Sequence, residues 1–294
     1  MHLLNADLHS HSTVSDGTLD PEALAERAAR QGVELWALTD HDELDGLPRA
    51  AAAAQRLGMA WLAGVEVSVT FAGETVHVLG LGIDPTNEAL QRGLAQVRGG
   101  RERRAREMAE GLARVGIRGA FEGALGYVSN PELISRTHFA RWLVDTGHCR
   151  DNADVFRRYL TSGRPGHVPH RWAGLGEAVG WIRGAGGVAC IAHPARYPFN
   201  ATVEYALFSE FVAHGGQAVE VLTSAHTAAD AAKYSDLALE FGLAASRGSD
   251  FHAPGESRVE LGALPTLSGR LEPVWQRLAD RIQPAVPPPA AIGG

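Results

Sequence analysis

Two histidines near the start of the chain, His9 and His11, are spaced for joint metal binding. They stand in the segment Asp7-Leu8-His9-Ser10-His11, just after a short apolar opening. Side chains alternate along a strand with period 2, so a strand over residues 3–8 would point both imidazoles to the same side at its end. Two neighbouring imidazoles form half of a metal site. An isolated His-x-His fits a solvated turn equally well, so the rest of the chain decides between these interpretations.

The composition is that of an ordinary soluble globular protein. The chain has 294 residues, of which 45% are hydrophobic and 21% are charged, enough for one large domain or a domain with an insertion. The formal net charge of −7 argues against a surface that coats nucleic acid generally. The two cysteines, Cys149 and Cys190, are too far apart in sequence for a thiolate zinc motif, and they fit a reducing compartment. We find no signal-peptide pattern and no apolar stretch long enough to span a bilayer, so we expect a cytoplasmic protein.

Strands alternate with helices over most of the chain, which predicts an α/β fold with a mainly parallel sheet. After the opening strand, further strands are predicted at 34–39, 61–70, 74–83, 187–192, 218–223 and 243–247, and helices at 21–31, 47–57, 203–213 and 228–241. When such alternating strands and helices close into a barrel, the active site is built at the carboxyl ends of the strands. Most of the histidines and carboxylates that could do chemistry follow or end predicted strands.

A helical segment interrupts this rhythm. Residues 91–115 are rich in Arg, Glu and Ala and predict one long exposed helix, and more helix follows up to 172. We therefore predict a helical insertion for substrate recognition at 100–180, which separates a first barrel part (1–99) from a second (181–285). The uncharged Pro/Ala/Gly tail at 286–294 is predicted to be disordered.

The candidate metal ligands are six histidines and five carboxylates: Asp7, His9, His11, Asp16, Asp40, His41, Glu66, His77, His193, Asp250 and His252. One ion needs about four to six ligands, so this set is large enough for two or three ions. Glu66 could bridge two of them. Imidazole and carboxylate ligands suit Mn, Fe or Zn, without selecting among them.

Several of these residues have ordinary structural explanations. A histidine within a strand, such as His77, is often a core residue with satisfied hydrogen bonds. Asp16 precedes Gly17 and fits a turn. Asp7 and Asp40 could orient a ligand histidine rather than bind metal themselves.

Six motifs in order resemble those of the PHP (polymerase and histidinol phosphatase) superfamily. They are Asp7-Leu8-His9-Ser10-His11, Thr39-Asp40-His41-Asp42, Gly64-Val65-Glu66, His77-Val78-Leu79-Gly80, Ala192-His193-Pro194 and Gly248-Ser249-Asp250-Phe251-His252. Within the superfamily the chain resembles the branch of 3′,5′-nucleoside bisphosphate phosphatases and the 5′–3′ exoribonuclease RNase AM, which has a helical insertion in the same place. The segment from Ser135 to Arg141 and the residues Asp154-Val155-Phe156, with Tyr159-Leu160, are similar to motifs of that insertion.

The resemblance implies a distorted (β/α)7 barrel, the PHP fold, with a trinuclear metal centre in its mouth. The implied first site is His9, His11, Glu66 and Asp250; the second is Glu66, His77 and His193; the third is Asp16, His41 and His252. Many PHP proteins have a histidine at the position of Asp16. Two or three divalent ions are implied, with Mn²⁺ as the first choice and Fe²⁺ or Zn²⁺ as alternatives.

Clustered divalent ions suit phosphate ester hydrolysis because they generate hydroxide at neutral pH and neutralise phosphoryl charge. We expect a metal-bound hydroxide, held by Glu66, His193 and Asp250, to attack phosphorus in line. The expected reaction removes the 3′-phosphate of a nucleoside 3′,5′-bisphosphate such as pAp, giving the 5′-nucleotide. Four side chains are candidates for binding substrate phosphate: Ser135, Arg136, His138 and Arg196. Among them the planar guanidinium of Arg136 is the best candidate for a second phosphate.

Other functions stay open at this stage. A 5′–3′ exoribonuclease acting on short 5′-phosphorylated RNA needs nearly the same metals, although the net charge leans towards a small substrate. The long insertion argues against histidinol-phosphate phosphatase. A C–N hydrolase of the amidohydrolase type commonly carries a bridging lysine, and the only lysine, Lys233, falls in a predicted outer helix. A non-catalytic PHP module should have lost ligands, and here every motif is present. No membrane or stable protein partner is implied.

Overall fold

The structure, a computed structural model, describes residues 4–285, and a mixed sheet of eight strands dominates this part of the chain. The strands are β1 (Ala6–Asp7), β2 (Leu35–Leu38), β3 (Ala60–Phe71), β4 (Glu74–Leu81), β5 (Ala173–Gly174), β6 (Val188–Ile191), β7 (Ala218–Thr223) and β8 (Ala244–Gly248). Seven follow the order β1-β2-β3-β4-β6-β7-β8, and β5 pairs with β3 beside this path. Only β4 runs antiparallel to its neighbours among these described strands. The predicted mainly parallel sheet is confirmed, with β4 as the exception.

The first and last strands approach each other and nearly close the sheet into a barrel. The Leu8 amide donates to the Arg247 carbonyl (3.1 Å), and the Asp250 amide donates to the His9 carbonyl (2.8 Å). Just beyond the strands, Ser10 and Phe251 form a parallel bridge. The predicted distorted α/β barrel is therefore confirmed, and its seam brings the two ends of the chain's motif series together.

Helices connect the strands or form a separate group. They are α1 (Pro21–Arg30), α2 (Leu47–Arg56), α3 (Glu88–Arg98), α4 (Arg101–Arg114), α5 (Ala120–Leu125), α6 (Arg136–Asp145), α7 (Asn152–Val155), α8 (Leu175–Gly184), α9 (Ala201–Ala213), α10 (Ala228–Phe241) and α11 (Val274–Arg277). None of the helices in the described range 4–285 is long and apolar enough to cross a membrane.

Local sequence explains where these helices begin and end. Asp20 caps α1 by accepting a hydrogen bond from the Ala23 amide (2.8 Å), and Pro21 occupies the first helical position. Gly242 ends α10 in the left-handed conformation (φ 64°), which glycine adopts without steric cost.

The described chain divides into two compact units. The first contains the residues up to Leu94 and those from Ala173 onwards, and the second is Ala95–Trp172. The helical insertion was expected at 100–180, and the second unit lies largely within that range. The tail at 286–294, predicted to be disordered, lies outside the described residues.

The core of the first unit comes from alternate positions of neighbouring strands. Leu35 and Ala37 share one face of β2, and Leu79 and Leu81 share one face of β4; all four are fully buried in one apolar cluster. Because strand side chains alternate, the polar residues at the strand ends are held by a rigid apolar scaffold.

The second unit corrects the prediction of one long helix at 91–115. The structure has two helices, α3 and α4, separated at Gly99 and Gly100. A Cβ at Gly100 would lie 2.5 Å from the His170 ring, so a larger residue here would force that ring to move. Two successive glycines also favour a break because glycine has low helix propensity.

We predict that Ser10→Ala lowers the free energy of unfolding by about 1–3 kcal/mol. The buried Ser10 hydroxyl donates to the Ala37 carbonyl (3.0 Å) and accepts from Trp36 Nε1 (2.9 Å), so its removal leaves both partners unsatisfied. Urea unfolding of the metal-free protein measures the change. The control Ser209→Ala removes an exposed helical hydroxyl and should change stability little; equal losses in both variants would contradict the prediction.

Candidate metal centre

His9 and His11 follow β1 at the barrel seam with both side chains completely buried. Their Nε2 atoms lie 3.1 Å apart, so the two rings converge on one point. Ser10 between them donates its hydroxyl to the Ala37 carbonyl on the neighbouring strand. The two imidazoles thus share one side of the segment, as the alternation of side chains predicted.

The other candidate ligands come from the ends or edges of different strands. They are Asp16 in the loop before α1, His41 after β2, Glu66 in β3, His77 in β4, His193 after β6, and Asp250 and His252 after β8. His193 (φ 28°) and Asp250 (φ 54°) have positive φ values, which non-glycine residues rarely adopt. Such backbone strain is typical of sites where the surrounding structure fixes a functional side chain.

One compact group consists of His9, His11, Glu66 and Asp250. Asp250 Oδ1 lies 3.3 Å from His9 Nε2 and 3.2 Å from His11 Nε2. Glu66 Oε2 lies 3.3 Å from the same two nitrogens. These four residues are the set that the family resemblance implies for the first metal.

A second group surrounds the other oxygen of Glu66. Its Oε1 lies 3.0 Å from His77 Nδ1 and 3.0 Å from His193 Nε2. His41 Nδ1 also lies 3.0 Å from Glu66, at Oε2, and His41, Glu66 and His77 form a potential metal-binding group. His41 therefore lies next to the second group, and it also belongs to the third, to which the resemblance assigned it.

A third group contains His11, Asp16, His41 and His252. Asp16 Oδ1 lies 3.3 Å from His252 Nε2 and 3.8 Å from His41 Nε2. His11 is an addition to the expected set of Asp16, His41 and His252. All nine expected ligands thus lie in overlapping groups or, for His193, in contact with a shared member.

The donor atoms of this cluster fit divalent metal ions. In each of the three groups the nitrogen and oxygen atoms lie within 4.8 Å of one another. Glu66 Oε2 and Asp250 Oδ1 are buried, and each lies 3.2–3.3 Å from the Nε2 atoms of His9 and His11, without a partner at good hydrogen-bond geometry. Buried polar atoms are normally satisfied, so lone pairs aimed at a common point indicate a cation as their partner.

The charges of the cluster agree with this assignment. Burial opposes ionisation of Glu66, but the surrounding histidines, His77 above all, hold its pKa well below the ordinary value. Burial likewise opposes ionisation of Asp250, but the charges of Arg196, His9 and His252 together keep its pKa well below the usual range. The carboxylates are therefore ionised and require compensating positive charge.

The pKa values of two candidate ligands, His11 and His193, shift in opposite directions. Burial favours the neutral ring of His11, but Asp250 and Glu66 raise its pKa to about 10. Burial, reinforced by the nearby Arg196 charge, lowers the pKa of His193 to about 4. Without metal, a proton on His11 supplies part of the charge that the carboxylates require; metal binding would displace it.

Asp7 and Asp40 accept hydrogen bonds from nearby backbone and side-chain groups of the chain. They belong to none of the three groups found within the described residues. Asp7 accepts from the amides of Ser249 (2.9 Å) and Gly262 (2.8 Å). Asp40 accepts from the amide of Ser12 (2.8 Å) and from the hydroxyls of Ser12 and Ser15 (2.6 Å each). Asp7 therefore ties the barrel seam, and Asp40 fixes the loop that leads to Asp16.

The expected phosphate-binding residues lie in different parts of the chain. In the first unit, Arg196 Nη1 lies 2.7 Å from Asp250 Oδ2, and the arginine side chain is 46% exposed. In the second unit, Ser135, Arg136 and His138 form the start of α6, where the Ser135 amide donates to His138 Nδ1 (3.0 Å).

Two residues outside the expected ligand set contact the candidate ligands. Glu220 in β7 lies 3.0 Å from His9 Nδ1, and the Tyr197 hydroxyl accepts from the His77 amide (2.9 Å). Glu220 carried a visible signal, a lone carboxylate within the apolar strand Ala218–Thr223.

Comparisons with known proteins agree with this geometry. Residues 7–121 match the PHP domain family. The chain is 51% identical to a 3′,5′-nucleoside bisphosphate phosphatase from Chromobacterium violaceum over 280 residues, covering 95% of this chain and 98% of that protein. It is 40% identical to the 5′-3′ exoribonuclease Rnm of Salmonella typhimurium over 272 residues, or 92% of each protein.

Two solved structures share the fold. A Chromobacterium violaceum protein described as an amidohydrolase, with bound sulfate and no metal, superposes with a TM-score of 0.94 at 50% identity, covering 96% of this chain and 99% of that one. A proposed metal-dependent phosphoesterase from Bifidobacterium adolescentis gives a TM-score of 0.78 at 27% identity, with 93% and 95% coverage. The chain therefore belongs to the PHP superfamily, within the group that includes the bisphosphate phosphatase and the 5′-3′ exoribonucleases.

Proposed function

We propose that this protein is a metal-dependent phosphatase that removes the 3′-phosphate of nucleoside 3′,5′-bisphosphates, such as pAp. The observation that carries the proposal is the buried cluster in which Glu66 joins two groups of histidines. The 51% identity to a 3′,5′-nucleoside bisphosphate phosphatase, over nearly the whole of both chains, supports this substrate.

We propose three positions for divalent ions, with Mn²⁺ as the preferred metal. His9, His11, Glu66 and Asp250 would hold the first; Glu66, His77 and His193 the second; and Asp16, His41 and His252 the third. When bound, such ions lower the pKa of a coordinated water to about 7 and neutralise charge on the phosphoryl oxygens. The absence of a cysteine from the cluster agrees with a hard or borderline metal.

The exposure of the ligands indicates the side from which substrate enters. The side chains of His9 and His11 are completely buried, whereas His77 and His252 are 19% and 20% exposed. Arg196, at 46% exposure, lies at this accessible side and keeps Asp250 ionised. Its remaining N–H groups are available to orient a phosphoryl oxygen, which is the role we propose for it.

For the second phosphate we propose Arg136, with Ser135 and His138 beside it at the start of α6. Within the second unit Arg136 lies close to other arginines. Burial and the positive charges of Arg136 and Arg101 lower the pKa of Arg104 to about 9. Neighbouring guanidinium groups are suited to binding phosphate, which supports an anion site in that unit.

A 5′–3′ exoribonuclease activity is the second candidate. The 40% identity to an exoribonuclease over 92% of both chains favours it, and the same metals can hydrolyse a phosphodiester. In either case the proposed partner is a small nucleotide or a short 5′-phosphorylated RNA. Both cysteines are buried and unpaired, which supports a reducing, cytoplasmic location.

The Mn²⁺-loaded protein should release phosphate from pAp much faster than from 3′-AMP or histidinol phosphate. The expected advantage of pAp is at least about tenfold in kcat/KM, because one charge-assisted pair to the second phosphate is worth about 1.5–3 kcal/mol. Phosphate release and chromatography of each substrate measure it. Shortening of a 5′-phosphorylated trinucleotide at a rate comparable to pAp hydrolysis would instead identify an exoribonuclease.

Glu66→Gln should remove at least one metal ion per chain and lower kcat by about 10²-fold or more. The amide keeps the size of the side chain but loses the charge and one of two acceptor oxygens. Elemental analysis after dialysis and assays with pAp measure both effects. The control His214→Ala changes an exposed histidine that belongs to none of the metal-binding groups, and it should change neither quantity. Full metal content in Glu66→Gln would rule out the proposed bridging role.

Arg136→Ala should lower kcat/KM for pAp by about 10-fold or more while leaving hydrolysis of an aryl phosphate nearly unchanged, because only pAp carries the second phosphate. The matched variant Arg103→Ala removes an exposed arginine of the same unit and should change neither rate. An equal loss on both substrates in Arg136→Ala would exclude the recognition role.

A further inference from the structure

Glu220 is a buried carboxylate that the proposed mechanism does not use. It lies in the middle of β7 between apolar residues, and its side chain is completely buried. Burying an ionised carboxylate is costly unless specific partners compensate it. Its partners should therefore show why a carboxylate occupies this position.

Both oxygens of Glu220 contact candidate metal ligands. Oε1 lies 3.0 Å from His9 Nδ1, and Oε2 accepts a hydrogen bond from the His193 backbone amide at 2.7 Å. This contact turns the Nδ1 edge of the His9 ring towards Glu220. His9 Nε2 is then left to face Glu66 and Asp250, both at 3.3 Å.

The second contact holds a strained backbone. His193 has φ 28° and ψ 57°, outside the conformations that a histidine ordinarily prefers. The hydrogen bond from its amide to Glu220 fixes this conformation and thereby the direction of the imidazole towards Glu66. One carboxylate thus orients a ligand of the proposed first site and a ligand of the proposed second.

Two further features of β7 and β8 allow the Glu220 carboxylate to reach both His9 and His193. The pairing of β7 with β8 shifts register between Glu220 and Leu222, a bulge of the kind that redirects side chains beside active sites. On β8, a Cβ at Gly248 would lie 2.3 Å from the His9 Cβ and 3.0 Å from Glu220 Oε1. Glycine at this position therefore permits the close approach of His9 and Glu220.

We propose that Glu220 is a positioning residue that orients His9 and His193 for metal binding. The inference rests on the proposed metal centre and extends it, because no metal-binding group contains Glu220 among the described residues. Carboxylates that fix ligand histidines in this way typically contribute 10–100-fold to metal affinity.

The test is Mn²⁺ binding to the wild type and to Glu220→Gln, measured by calorimetry, together with pAp hydrolysis. Glutamine offers one acceptor oxygen, so either the His9 ring or the His193 amide loses its partner. We expect Mn²⁺ affinity to fall by about 10–100-fold and kcat to fall at saturating metal, with KM for pAp nearly unchanged.

The control is Glu204→Gln, which alters another buried carboxylate of the same unit. The Glu204 carboxylate accepts a hydrogen bond from the Tyr234 hydroxyl (2.7 Å) between the helices α9 and α10. Replacing Glu204 should therefore reduce thermal stability without weakening Mn²⁺ binding. If Glu220→Gln does not fold, Glu220→Asp replaces it. The aspartate carboxylate is set back by roughly 1.5 Å and should also weaken metal binding.

The outcomes test the role of Glu220 separately from the proposed phosphatase activity. Wild-type Mn²⁺ affinity in folded Glu220→Gln, or an equal loss in Glu204→Gln, would overturn the role of Glu220 and leave the phosphatase proposal intact. A selective loss of Mn²⁺ affinity in Glu220→Gln supports the role even if the wild type does not hydrolyse pAp. Failure of the wild type to bind Mn²⁺, Fe²⁺ or Zn²⁺ would overturn the metal centre and this inference together.

Discussion

Closure of the barrel between β1 and β8 is the constraint on which the candidate centre depends. The Asp250 amide donates to the His9 carbonyl, and the Ser249 amide donates to the Asp7 carboxylate across 242 residues of sequence. These bonds bring the first and last motifs into one site. Because such long-range pairing carries a large loop-closure cost, the apolar strand core must stabilise it before any ligand group can assemble.

Metal binding and closure are expected to stabilise each other. The centre concentrates ionised carboxylates and histidines in a buried space, and burial disfavours this charge unless a cation is present. An ion that binds only the assembled ligands would add its binding free energy to the folded state. The apolar scaffold therefore supplies the geometry, while the metal would compensate the charge that this geometry creates.

The sequence predicted the fold and the members of the cluster because both follow from local patterns. Alternating strands and helices predicted the sheet, and chemically active residues at strand ends predicted where the side chains meet. The assignment of each ligand to one metal group was harder to predict. His41 lies between two carboxylates, at 3.0 Å from Glu66 and 3.8 Å from Asp16, and this position cannot be deduced from spacing along the chain. The break of the long helix at Gly100 likewise depends on the packing of His170, a tertiary contact. The sequence assigns no role to Glu220 because its partner His9 is 211 residues away.

The choice between a phosphatase and an exoribonuclease depends on features outside the metal cluster. Both reactions break a P–O bond, and the ligands described above would serve either ester. The reactions differ in what is attached to the reacting phosphorus, so the residues that recognise the rest of the substrate must decide. A nucleoside bisphosphate presents a second phosphate at a fixed short distance, which a single arginine can recognise with its planar fork. A longer RNA adds charge and bases beyond that phosphate, and a net charge of −7 offers no general attraction for them. The charge of the protein therefore favours the smaller substrate, and any activity on RNA would depend on local contacts that offset this charge.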